Sequence, residues 1–313
     1  MKDVYTLDDL ASRAALDEGS EHPARLAVLG SPVAHSLSPQ LHQAALDEIS
    51  SGSRYIRLEV PAGEVARALN RLQELDFIGA NITVPHKFEA LAAADEIDGA
   101  ATMLGAANTI LFDGNRKLAF NTDGPGFVRA IHEEFLVDVK DLRIMVVGAG
   151  GGAGQAIAAQ CAQEGCEKLV LVNRSVGKAE ELATRLSACF ESERLEGPGE
   201  RLKVFPLESP DLMAESGQID LIINTTSVGL RQTDPSPLPS ACLQPHHLVY
   251  DTIYNPARTR LLSEASQVGA RIANGYSLLL YQGALSFELW FPGQQPLKTM
   301  RASLQAALGQ SKA

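Results

Sequence analysis

An apolar strand running straight into a glycine-rich loop constrains this 313-residue chain more than any other feature. Residues 142–147 read LRIMVV, a continuous apolar run. Such a run suits a parallel strand covered on both faces, not an alternating half-exposed one. Gly148-Ala149-Gly150-Gly151-Gly152-Ala153-Gly154 follows, then an apolar-periodic helix through Ile157, Ala158 and Cys161. Glycine permits the tight turn and lets backbone N–H groups approach a pyrophosphate at the helix N-terminus. A second strand, residues 168–172, comes next. Strand, glycine loop, helix and strand in that order are the context a dinucleotide-binding unit requires.

The end of the second strand bears on the nucleotide. A site for NAD places Asp or Glu there, to bind the ribose 2′-hydroxyl. This chain has Asn173-Arg174-Ser175. A guanidinium in place of a carboxylate suits a 2′-phosphate, which favours NADP over NAD. The bland reading of Arg174 is a surface residue on a helix-entry loop. Beyond it, residues 178–189 and 261–268 read as helices, and 202–205, 219–224, 248–251 and 271–273 as strands. With the first two, this is a six-strand doubly wound count. The hydroxyl-rich stretch Thr225-Thr226-Ser227-Val228-Gly229 follows the fourth of these strands, where it can border a nicotinamide ribose.

A separate α/β pattern precedes it. Strands are expected at 25–30, 55–60 and 77–83, helices at 38–49, 63–75 and 86–94, and a hairpin at 106–112 and 117–121 turning at Asp113-Gly114. Residues 124–136 read as a connecting helix. Asn274-Gly275 breaks the second pattern once its strand count is complete. The helices expected at 278–290 and 296–308 are therefore assigned back to the first domain. The expected division is an N-terminal extension (1–24), a substrate-binding α/β domain (25–122 with 275–313) and a Rossmann domain (123–274). The extension, with six acidic and two basic residues, reads as a surface segment with a short helix. Residues 191–200 read as a charged loop.

Candidate chemistry lies at strand ends. Asn81-Ile82-Thr83-Val84-Pro85-His86-Lys87 is an apolar alternation stopped by Pro85, which delivers Lys87 beside a turn. Open α/β sheets bind ligands there. Ser36 and Ser38 sit at a strand-to-helix turn, where a positive helix end suits a carboxylate. Ser38 before Pro39 also reads as a plain N-cap, and the two roles are compatible. Asn108-Thr109 and Asn121-Thr122-Asp123-Gly124 bring amides and one carboxylate to strand ends. Gln282, an amide in an apolar helix, reads as a ligand contact or as a buried structural residue.

The formal net charge of −11 disfavours a nucleic-acid partner. No apolar run approaches the ~18 residues of a membrane span. The start of the chain carries no basic-then-apolar pattern, so a cytoplasmic address is expected. Cys161, Cys166, Cys189 and Cys242 lack metal-type spacing and are expected to be reduced, mostly buried thiols, with no metal site.

Taken in order, Gly30-x-Pro32-x-x-His35-Ser36-x-Ser38-Pro39, Asn81-x-Thr83-x-Pro85-His86-Lys87, Gly105-Ala106-Ala107-Asn108-Thr109, Asn121-Thr122-Asp123-Gly124, the glycine loop, Asn173-Arg174-Ser175, Asn224-x-Thr226-Ser227-x-Gly229 and Gln282-Gly283-Ala284 resemble the shikimate dehydrogenase family over residues 25–290. The resemblance implies a substrate domain beside an NADP-binding Rossmann domain, with the active site in the cleft between. It implies NADPH-dependent reduction of 3-dehydroshikimate to shikimate, on the route to aromatic amino acids. By position, Lys87 and Asp123 would be the catalytic pair. Ser36, Ser38, Thr83, Asn108, Tyr254 and Gln282 would meet the substrate. Gly148, Ala149, Gly150, Gly151, Gly152, Ala153, Asn173, Arg174, Ser175, Thr226 and Gly275 would meet NADP. The protein would work as a monomer or homodimer on a small molecule. The loop departs from the family's usual Gly-Ala-Gly-Gly-Ala by one extra glycine, with Gln155 near the usual basic position. Two rivals are a quinate-accepting relative and a non-catalytic sensor of NADP and a shikimate-like molecule. A salt bridge between Lys87 and Asp123 is the bland reading of that pair.

Overall fold

The computed structural model describes residues 2–191 and 201–310. The charged loop expected at 191–200 lies outside the described residues except for Glu191. The chain divides into two compact units, Met1–Thr122 with Leu279–Ala313, and Asp123–Leu278. The second division falls within the helix Tyr276–Trp290 rather than at Gly275.

The first unit is built on strands β1 (Ala24–Gly30), β2 (Arg54–Glu59), β3 (Gly79–Ile82), β4 (Glu96–Ile97), β5 (Thr109–Asp113) and β6 (Arg116–Phe120), in the order β2-β1-β3-β5-β6-β4. β1 pairs in parallel with both β2 and β3, and β5 runs antiparallel to β3 and β6. β1 is buried almost throughout, which explains its unbroken apolar sequence. The β5–β6 turn falls at Gly114 and Asn115, one residue later than expected. Gly114 has φ +58° there, which glycine adopts without steric penalty.

The segment before β1 is not the surface extension expected. Tyr5 pairs with Leu58 on β2, the edge strand of the sheet. Tyr5, Leu10 and Leu16 join the core of this unit. Three arginines fasten the segment: Arg54 donates to Asp17 at 2.8 Å and to the Tyr5 hydroxyl, Arg71 to the Leu10 carbonyl, and Arg13 to the Ala24 carbonyl. The acidic surplus that suggested a solvated tail is partly consumed in ion pairs, Asp17 with Arg54, Asp3 with Arg57 and Asp9 with Lys2. The segment also covers a strand edge that would otherwise stay open to pairing.

The second unit carries β7 (Arg143–Val147), β8 (Lys168–Asn173), β9 (Leu202–Pro206), β10 (Leu221–Asn224), β11 (Leu248–Asp251) and β12 (Arg271–Asn274). All pairs are parallel, in the order β12-β11-β10-β7-β8-β9. This is the doubly wound Rossmann arrangement. Met145, Val147, Val170, Val172, Ile222 and Val249 form much of one core face. Strand order reverses between β7 and β10, and ligands of such sheets bind at the carboxyl ends beside that reversal. The loops at Gly148 and Thr225 leave the sheet there, since Val147 lies in register with both Val172 and Asn224.

Candidate active site

The glycine loop closes against its neighbours at van der Waals limits. Gly148 has φ +90°, and a Cβ on it would stand 2.6 Å from Thr226 Cγ2. A Cβ on Gly154 would stand 2.3 Å from the Gly148 carbonyl oxygen. Helix Gly152–Gln163 begins with Gly151 as its cap residue and no acidic residue in its first turn. Gly151 is exposed, so the open N-terminus of the helix faces solvent. Unpaired N–H groups and the positive helix end make that surface suited to a pyrophosphate. Gln155 holds the loop from below: its Nε2 donates to the Gly150 carbonyl and its Oε1 accepts from Arg185 at 2.7 Å. Thr225 does so from the side, donating to the Val147 carbonyl at 2.8 Å. The sequence sets Thr225 in the stretch expected to border a nicotinamide ribose and Gln155 near the family's usual basic position, but neither bracing role shows there.

Asn173 lies next to the loop, and its Nδ2 donates to the Ser175 carbonyl. Arg174 and Ser175 are exposed just beyond it. The donor set therefore fits a phosphorylated ribose: a glycine cradle that a Cβ would fill, a helix end, and a guanidinium where a carboxylate is absent. Thr226 donates both its N–H and its hydroxyl to Asn224 Oδ1, at 3.0 and 2.7 Å. Gly275 opens the helix Tyr276–Trp290; a Cβ there would lie 1.9 Å from the Thr252 oxygen. Tyr254 is half-buried, and Asp123 is buried as the first residue of helix Asp123–Phe135.

In the first unit, the parallel and antiparallel pairings bring several loops to one end of the sheet. These follow β1, β3 and β6 and precede β5. Thr83 N–H donates to the Leu29 carbonyl, Ser31 N–H to the Val84 carbonyl, and Ile82 N–H to the Asn108 carbonyl. Gly30 is required by this closeness, because a Cβ on it would stand 2.5 Å from Thr83 Cγ2. Ser36 and Ser38 are brought together, with Ser36 Oγ donating to Ser38 Oγ at 3.1 Å. Ser38 is not the N-cap. It is the first residue of helix Ser38–Glu48, and Leu37 occupies the cap position without a side-chain bond. Ser36 Oγ instead accepts the Ser38 N–H at 3.3 Å. Arg57 and Glu59 on β2 hold this loop, donating to the Ser36 carbonyl and accepting from Ser31 and Val33.

Asn108 and Gln282 also meet, with 3.4 Å between Asn108 Nδ2 and Gln282 Oε1. Beneath them runs a buried network that went unnoticed in the sequence. Asn81 Nδ2 donates to Thr109 and Ser286, Thr122 N–H donates to Asn108 Oδ1, and Tyr55 donates to Asn81 Oδ1. Lys87 begins the helix Lys87–Ala92 and is only 8% exposed. A cation opening a helix opposes the helix dipole, and burial adds desolvation. Two unfavourable placements at one residue make Lys87 a candidate functional group. His86 beside it is fully buried, with Nε2 at 2.7 Å from the Val60 carbonyl. It serves the fold of the turn. Cys161, Cys166 and Cys242 are buried, Cys189 is exposed, and no metal-type cluster occurs among the described residues.

A doubly wound nucleotide-binding unit, joined to an α/β unit that gathers hydroxyls, amides and one buried lysine at a single sheet end, defines a nicotinamide-nucleotide oxidoreductase class. Residues 28–110 match the shikimate dehydrogenase substrate binding domain, and residues 130–205 match shikimate / quinate 5-dehydrogenase. The shikimate dehydrogenase (NADP(+)) of Methanopyrus kandleri is 37% identical over 279 residues, 88% of this chain and 93% of that protein. That of Geobacillus kaustophilus is 40% identical over 271 residues, 86% and 92% of the two chains. A solved structure of shikimate 5-dehydrogenase from Thermus thermophilus, in complex with NADP(H) and shikimate, shares 33% identity at a TM-score of 0.78, covering 91% of this chain and 100% of that one. The chain belongs to the shikimate dehydrogenase family. No helix among the described residues is long and apolar enough to cross a membrane.

Proposed function

We propose that this protein catalyses the reversible NADPH-dependent reduction of 3-dehydroshikimate to shikimate, in aromatic amino acid biosynthesis. The observation that carries the reading is the buried Lys87 at the end of β3, among Ser36, Ser38, Thr83, Asn108 and Gln282, in a chain of this family. NADPH, when bound, supplies the hydride. Gly148 to Ala153 would hold its pyrophosphate through the helix Gly152–Gln163. Asn173, Arg174 and Ser175 would hold its phosphorylated ribose, with Thr226 and Gly275 bordering the rest.

The protein's own groups handle charge and proton. Ser36 and Ser38 take the substrate carboxylate, with hydroxyl donors. Thr83, Asn108, Gln282 and Tyr254 hold the ring oxygens. As the carbonyl oxygen gains negative charge, the Lys87 ammonium stabilises it and delivers a proton, leaving an alcohol and a neutral amine. By the family resemblance, Asp123 would be the second member of the catalytic pair and take part in proton transfer. The protein acts in the cytoplasm, as a monomer or homodimer. The test is an absorbance assay at the nicotinamide band with shikimate or quinate and NADP or NAD. Turnover of shikimate with NADP is expected. No absorbance change with shikimate and either nucleotide would sink the reading.

A further inference from the structure

The loops that carry Thr226 and Tyr254 leave neighbouring strands, β10 and β11, and both are tied to one buried carboxylate. Asp251, the last residue of β11, has no exposed surface. Its Oδ1 accepts from Asn224 Nδ2 at 3.0 Å and from Ile253 N–H at 3.1 Å. Its Oδ2 accepts from the Thr259 hydroxyl at 2.7 Å. Thr259 in turn caps the helix Arg260–Gln267 by accepting Leu262 N–H. Tyr254 therefore sits on a loop held at its start by Ile253 and at its end by Thr259. Among the described residues, no cation pairs with Asp251.

Burial pushes the Asp251 carboxyl up to about 6, against three donors that pull it down. An ionised group so placed does not serve stability best. A carboxylate offers something else: it only accepts, so it fixes the polarity of its neighbours. Asn224 must turn Nδ2 toward Asp251, which turns Oδ1 toward the N–H and hydroxyl of Thr226. Asn224 Nδ2 also reaches the Val228 carbonyl, and its backbone carbonyl accepts the Thr252 hydroxyl. We infer that Asp251 is a positioning residue, which through Asn224 and Thr259 locks the Thr226 and Tyr254 loops into one register for cofactor and substrate. The inference rests on the reaction proposed above.

Asn224→Asp is the decisive variant. It keeps the acceptor for Thr226 but sets two carboxylates against each other. Expected is a fall in kcat/KM for shikimate of about tenfold to a hundredfold per folded molecule, with KM raised for both shikimate and NADP. Asn224→Asp with Asp251→Asn restores a donor opposite an acceptor at that contact but leaves Ile253 N–H and the Val228 carbonyl facing groups of their own polarity, so it recovers only part of the loss. Thr259→Val frees only the Tyr254 loop, so it raises KM for shikimate more than for NADP, and it reports even where Asn224→Asp does not fold. Unchanged kinetics in the folded fraction of Asn224→Asp or of Thr259→Val would overturn the inference. So would a double variant that regains the melting temperature without regaining kcat/KM. NADP affinity of the wild type and Asn224→Asp, read by titration, tests the lock without turnover. A wild-type protein inactive on shikimate therefore counts against the proposed reaction alone.

Discussion

His42 offers a local test of how burial sets acid sensitivity. Its ring is fully buried in the first unit, stacked on Tyr55 at 4.6 Å, with the Asn81 side chain as a polar neighbour. Burial pushes its pKa from 6.5 down to about 3. The sign follows from linkage: between those values the unfolded chain binds a proton that the native state refuses, so stability falls as pH drops through 6.5. Going from pH 7.5 to pH 5 should cost about 2 kcal/mol from this residue alone, at about 1.4 kcal/mol per pKa unit. His42→Phe removes the titration but keeps a neutral ring, and every other group cancels in the comparison. Trp290, the sole tryptophan, lies 5.3 Å from His42 and reports the unfolding of this unit. That matters because a chain of two units need not unfold in one step. Urea melts followed by Trp290 fluorescence should show a wild-type stability that falls about 2 kcal/mol more than that of His42→Phe over this pH range. Parallel pH slopes for the two proteins would refute the reasoning.

Three further outcomes are expected. Lys87→Ala should lower turnover by orders of magnitude while NADP affinity, measured by titration, barely changes; near-normal turnover would remove Lys87 from the proton-transfer role. Arg174→Ala should raise KM for NADP far more than for NAD, and a parallel rise for both would contradict a 2′-phosphate contact. Asp251→Asn should stabilise the second unit at pH 8 and not below pH 4. The raised carboxyl costs stability as pH climbs from 3.8 through about 6, some ~3 kcal/mol in full. Melts of both proteins across that range check it, and a difference that does not vary with pH would count against the buried carboxylate as its source.

The sheets were legible because their signals are local. β1, β7 and β8 are buried on both faces, so apart from their ends (Arg25, Arg143, Lys168 and Asn173) their sequences are apolar runs. The glycine loop was legible because close approach excludes a side chain at each contact. What stayed hidden depends on distant partners. Asn81 and Ser286 stand 205 residues apart in the network under Asn108, and no window of sequence contains both. The two-residue β4 and the short helix Gly99–Leu104 lack the length for a periodic signal. The N-terminal segment misled because its charge was read without its partners: Arg54 and Arg57, far along the chain, pair with Asp17 and Asp3, and Tyr5, Leu10 and Leu16 join the core.

Functional and positioning residues differ in the same way. Lys87 announces itself by breaking local rules, as a buried cation at the start of a helix after a proline-stopped strand. The proline-stopped strand is visible in sequence, and the burial is supplied by the fold. Asn224, Asp251 and Thr259 break no such rule. A polar residue at a strand end and a threonine before a helix are ordinary, and Thr259 is even a regular N-cap. Only their convergence on one buried carboxylate gives them a task, and convergence is a property of the fold. A sequence reading therefore finds groups that act on a ligand more readily than groups that aim them. The Asn224→Asp and double-variant comparison measures how much of the catalytic efficiency depends on the second kind.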